Sequence, residues 1–263
     1  LEAGAEGGPV PKLWCGCVDC ASLLSWRANT GNRPCYKALS SFGLAATVAV
    51  YVYSRHEFPV MVLIGILWLL KNMVAIWGQD TPTWIVPGGP AMFCAVYLLG
   101  IPSVLWVFVG CPGNGEIAFP FRDLAGLALF VFGTFYSLAY EFGRFRWKRR
   151  PENKGRCHTV GLASLCIHPN YFGDLFTYTG WSIAGGSTCA FSISAFQVGL
   201  FLWFVIPNAD AYLAQRYAEF PAYAAKTAPL IPFLRSPLIN QAIAWAGFAG
   251  SIYASTYCTE FCN

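Results

Sequence analysis

Apolar runs of membrane-crossing length alternate along the chain with short polar or Pro/Gly-rich breaks. A bilayer core about 30 Å thick takes about 20 apolar residues as a helix. Residues 1–38 are polar, Gly-rich and Cys-rich, too mixed to span. Spans are predicted at 39–54, 58–78, 91–110 and 119–146, with a Pro/Gly-rich loop at 79–90. A fifth is predicted at 171–186, with Asn170 as its N-cap, and a sixth at 189–206. A polar stretch, 208–232, precedes a last apolar segment, 239–257, read as a seventh span or a surface helix. The pattern predicts an all-α polytopic membrane bundle of six or seven transmembrane helices, with no internal repeat. Its parts are an extension over 1–38, a transmembrane domain over 39–236, and a tail over 237–263 holding the last apolar segment.

Composition agrees. Only 11% of the 263 residues are charged and 56% are apolar, against about 25% charge in a soluble domain. The charge is unevenly spread. Arg144 to Arg156 holds seven basic residues and one acid, while the whole chain has net charge +4, so the remainder is net negative. By the positive-inside rule this segment marks the cytosolic, matrix or stromal face. It also suits anionic lipid or a phosphate-bearing cofactor. One short basic segment in a membrane chain argues against nucleic acid as a partner.

Eleven cysteines include clusters at Cys15, Cys17, Cys20 and at Cys258, Cys262. Zinc wants about four N or S ligands. Three clustered cysteines without a nearby histidine fall short of that, and no metal is expected. The choice between free thiols and disulfides stays open.

Chemistry concentrates at a few positions. Lys71 lies within the second span, where a charge costs about 2.5–3.5 kcal/mol and needs a partner, a wet cavity or the interface. It either contacts substrate or snorkels toward the span's end. Glu141 stands one helical turn before Arg144, so it makes a local salt bridge or walls a cofactor pocket. The run His168-Pro-Asn-Tyr-Phe-Gly-Asp174 opens a helix whose free N–H groups suit an anion such as a diphosphate. A capped helix in contact with lipid headgroups is the plainer alternative.

The stretch from Glu141 to Arg156, then Gly161-Leu162 and His168 to Asp174, resembles the steroid 5α-reductase family. The resemblance is nearest to its broad branch with an Arg-His-Pro-Asn-Tyr-Phe-Gly-Glu motif. The segment from Arg216 to Phe233, with Ile231-Pro232, is similar to the family's tail. The resemblance implies a membrane reductase that binds NADPH and reduces an activated carbon–carbon double bond of a lipophilic, sterol-like or isoprenoid, substrate. It implies Glu141, Arg146, Arg156, His168 and Asn170 as cofactor-binding, Tyr171 and Asp174 as catalytic, and Lys71 as substrate-binding. The related isoprenylcysteine and phospholipid methyltransferases, which bind S-adenosylmethionine, usually carry a Glu pair further on. Here that region reads Pro207-Asn-Ala-Asp210, which disfavours methyl transfer.

Two departures stand out. Ile167 occupies the position of the motif's Arg, and Asp174 replaces its Glu. They motivate a rival reading with no cofactor: a reductase-like fold kept as an accessory subunit of a photosynthetic or respiratory membrane complex. Its partners would be lipids, neighbouring subunits and pigments. The expected location is an organellar membrane, plastid or mitochondrial, or the endoplasmic reticulum.

Overall fold

The computed structural model describes residues 34–54, 59–78, 121–185 and 190–256. The expected span at 91–110 and both terminal cysteine clusters lie outside these residues. Among the described residues every regular element is helical, and the one β contact is an isolated parallel bridge between Cys166 and Ala228.

Helices α1 (Pro34–Ser54) and α2 (Pro59–Gly78) pack as a hairpin. Leu44, Val48 and Tyr51 of α1 recur at helical spacing, as do Met61, Ile64 and Trp68 of α2, and all are buried. The Tyr51 hydroxyl donates to the Met61 carbonyl at 3.2 Å and accepts from the Trp181 indole at 3.0 Å. The hairpin is thereby tied to a helix 130 residues away. Tyr51, Trp68 and Phe130 surround the Trp181 ring at centroid distances of 5.5, 5.5 and 6.0 Å, forming the aromatic centre of the core.

Helix α3 (Arg122–Lys148) lies antiparallel against α4 (Pro169–Gly185) along small residues. A Cβ at Gly126 would come within 2.6 Å of the Ala184 backbone nitrogen, and one at Gly180 within 2.5 Å of the Gly126 carbonyl. Gly133 meets Gly173 and Thr177 more closely still. In lipid, where apolar burial between helices drives little, such backbone approach is the main source of packing energy.

After α4, helix α5 (Phe191–Leu200), a π-helical turn over 201–205 and α6 (Ile206–Arg216) run on without a break. Pro207 lacks the N–H that would bond to the carbonyl four residues back, and the widened turn absorbs that loss. A short α7 (Phe220–Ala224) follows, then α8 (Pro237–Thr256). Trp203 holds α8 through Trp245 at 4.7 Å and Phe248 at 4.8 Å.

Among the described residues two helices are long and apolar enough to cross a membrane, Arg122–Lys148 and Phe191–Arg216. Both turn large apolar side chains outward, with Phe135 73% and Trp203 62% exposed. Such faces belong against lipid.

Two boundaries differ from expectation. The helical run of the sixth span continues to Arg216 rather than ending at 206, while α3 ends at Lys148, within two residues of expectation, with Arg144, Arg146 and Lys148 in its last turns. Cations there complement the helix dipole. Asn170 is not the N-cap. Helix α4 begins at Pro169, and the His168 carbonyl takes the first helical bond, from Phe172 at 3.1 Å. Proline suits this first position because its φ is preset and its missing N–H would have had no partner.

Candidate functional site

The head of α4 is held by a strap from the tail motif. Ile167 N–H donates to the Ala228 carbonyl at 2.8 Å, and Phe233 N–H donates to the Leu165 carbonyl at 3.3 Å. The Tyr223 hydroxyl donates to the Ala163 carbonyl at 2.5 Å. Two motif runs separated in sequence are thus one structural unit. Asn240 of α8 fixes the strap's turn: its side chain accepts from Ile231 N–H and donates to the Ile231 and Leu234 carbonyls. Cys157 N–H donates to the Glu219 carboxylate at 2.7 Å, holding that carboxyl below its usual range and fastening the basic segment to the same unit.

Ile167 is a core residue here. It packs with Cys157, Tyr217 and Phe220 and is 8% exposed, an environment that rejects an unpaired guanidinium. Burial pushes the Cys157 thiol up to about 11 and the Cys166 thiol up to about 12, so both stay protonated and inert at neutral pH. Among the described residues no cluster of His, Cys, Asp and Glu is placed to hold a metal.

On this base stands a half-buried polar cluster. His168 is 4% exposed, donates through Nε2–H to Asp210 Oδ1 at 3.0 Å, and stacks on Tyr171 with ring centroids 5.2 Å apart. Tyr171 rests on Phe201 of the π-turn at 4.8 Å. One turn on, Asp174 makes an ion pair with Lys71 of α2, with side chains 21% and 11% exposed. From α3, Arg144 binds Glu141 through Nη2 at 2.6 Å and Nε at 3.1 Å. Glu141 and Arg144 continue the helix face that carries Ser137 against Gly173, which aims them at the head of α4. Tyr140, Glu141, Arg144 and Asp174 all lie within the electrostatic field of Tyr171.

The structure therefore brings together Lys71, Glu141, His168, Tyr171 and Asp174, with half-buried Asn170 in the first turn of α4. It does not bring Arg146 or Arg156 to them. Arg146 turns to a lateral face of α3, and Arg156 is exposed near Glu219. Two members were missed in sequence. The sequence places Arg144 in the basic segment and beside Glu141, and Asp210 only in the region that lacks a Glu pair. The 42-residue separation of His168 and Asp210 left no local signal.

The residues fit a phosphate-bearing cofactor such as NADPH. Lys148 has Arg144 and Arg216 as charged neighbours, with Glu141 the acid among them. This surplus of positive charge beside the cluster is what a diphosphate neutralises.

Residues 71–227, more than half of the chain, match the family described as "Protein of unknown function (DUF1295)". A probable O-methyltransferase, ustE, of Ustilaginoidea virens is 31% identical over 116 residues, 44% of this chain and 40% of the relative. The steroid 5-alpha-reductase DET2 of Gossypium hirsutum is 26% identical over 116 residues, 41% of this chain and 45% of the relative. The chain thus spans under half the length of the curated relatives it matches. No solved structure matches it.

Proposed function

We propose that this chain, which belongs to the steroid 5α-reductase-like family DUF1295, is a membrane reductase that saturates an activated double bond of a lipophilic, sterol-like or isoprenoid, substrate with NADPH. One observation carries the reading: the half-buried cluster of Glu141, Arg144 and Asp174 around buried Tyr171 at the head of α4, beside a concentration of cations. The similarity to the reductase DET2 supports it. So does the position of the cluster at the basic end of α3, the face that the positive-inside rule turns to the soluble NADPH pool. The same reading takes residues 91–110 as a further span, six or seven in all, in an organellar or endoplasmic reticulum membrane.

Reduced nicotinamide supplies the hydride in such chemistry. The chain's own residues bind and position. Arg144 and Lys148 hold the phosphates, with Asn170 and the first N–H groups of α4. Tyr171 gives its phenolic proton to the substrate carbonyl as general acid. Asp174 is committed to Lys71, so it orients the floor of the site rather than donating. His168, held by Asp210, keeps the Tyr171 ring in place.

The match to ustE favours a second reading, methyl transfer from S-adenosylmethionine. Titration of the purified protein with each cofactor, followed by tryptophan fluorescence, separates the two. The reductase reading expects saturable NADPH binding and none of S-adenosylmethionine. The reverse result replaces it with methyl transfer. Binding of neither by a folded protein overturns both and leaves the accessory-subunit role.

A further inference from the structure

Helix α3 has a second built face, turned about 100° (one residue) from the one that meets α4. A pocket of about 590 Å³ lies there, between the C-terminal half of α3 and residues 158–162. Ligand pockets commonly measure about 300–1,000 Å³. Its inner end is apolar and open to the helix surface, with Phe135, Ala139 and Leu162. Its outer end carries Arg146, in the last turn of α3, and Arg150, two residues past the helix end, both exposed and without an ion pair among the described residues.

Two polar atoms on lining residues are left over. The Tyr136 hydroxyl and His158 Nδ1 are buried and have no hydrogen-bond partner. Leaving such a group unmet costs about 1–3 kcal/mol, and both atoms lie behind the pocket's surface rather than on it. Tyr136 lies ten residues before Arg146, about 15 Å along the helix. The His158 ring sits between Tyr140 at 5.7 Å and Trp147 at 5.1 Å. Burial, with Arg144 and Lys148 nearby, lowers its pKa to about 4. It is neutral at pH 7, and the pocket's positive charge is that of the arginines.

The lining therefore runs from cationic at the basic end of a membrane-length helix to largely apolar further in. We infer that this pocket holds one anionic phospholipid, its phosphate between Arg146 and Arg150 and an acyl chain along Phe135 and Leu162. Anionic headgroups lie at the depth where an apolar span ends in basic residues. A free anion would leave the apolar wall empty, and a zwitterionic lipid would gain little from two cations.

Gly143 supplies a clean plug. It lines the pocket, and nothing lies within 4 Å of a Cβ placed on it. Native mass spectrometry of the whole protein in detergent, with palmitoyl-oleoyl phosphatidylglycerol or the matching phosphatidylcholine added, tests the assignment. The expected result is one phosphatidylglycerol per chain, preferred about tenfold or more over phosphatidylcholine. Arg146→Ala with Arg150→Ala removes the preference, and Gly143→Trp removes binding at an unchanged thermal transition. If the Trp variant is destabilised, Gly143→Leu is the smaller plug. Equal binding of both lipids, binding that survives the plug, or displacement by inorganic phosphate or NADPH would overturn the assignment.

Discussion

The two faces of α3 are built on opposite terms. Toward α4 the helix presents Gly126, Gly133 and Ser137, backbones touch, and the charges that follow are paired. Toward the lateral pocket it presents Gly143 and Arg146, with Arg150 just past its end, open space at Gly143, and cations without an ion pair among the described residues. The comparison teaches that the same residue type has different meaning on each face. Glycine serves close approach at Gly133 and leaves a vacancy at Gly143. Arginine completes an interior pair at Arg144 and waits at a rim at Arg146.

The largest expected effect separates the glycines. Gly133→Leu drives a side chain into the Gly173 carbonyl and Thr177, costing more than about 3 kcal/mol. Gly143→Leu meets nothing and gains up to about 1 kcal/mol of helix propensity. Reversible unfolding in mixed micelles measures both, and equal losses would erase the distinction between the faces.

Next come the charges. Lys71→Met leaves Asp174 unpaired and costs about 3 kcal/mol, most of which Lys71→Met with Asp174→Leu recovers. Arg146→Ala shifts stability by less than about 0.5 kcal/mol. A Lys71→Met protein as stable as wild type would show the pair to be solvated.

A third test is a pH slope. His158 has an ordinary value of 6.5 and a folded value of about 4, so the unfolded chain takes up the proton first as pH falls. Its contribution is whole above about pH 6.5 and is lost progressively toward pH 4. Melting curves over that range should lose this slope in His158→Phe.

Helix positions were legible in the sequence because each depends on its own apolar run. The ends of α1, α2 and α8 fall within about five residues of expectation, inside the usual blur of helix termini or one further turn. The His168–Asp174 run was legible as chemistry because its residue types sit side by side. The partners were not. Lys71 reaches Asp174 across 103 residues, and Trp181 reaches Tyr51 across 130. Such pairs follow from how helices pack, and no local spacing encodes them. The seven-residue spacings Gly126–Gly133 and Gly173–Gly180 were visible in the chain, yet only the fold shows that they face each other. Ile167 read as a lost cation, and its burial shows a packing residue instead.

The central claim is that the interior face, and not the lateral one, is where the cofactor binds. NADPH titration of wild type, of Arg144→Gln and of Arg146→Ala with Arg150→Ala tests it in one series. The account expects Arg144→Gln to weaken binding by about tenfold or more and the lateral pair to leave it unchanged. Loss of NADPH binding in the lateral variant, with Arg144→Gln at wild-type affinity, would contradict it.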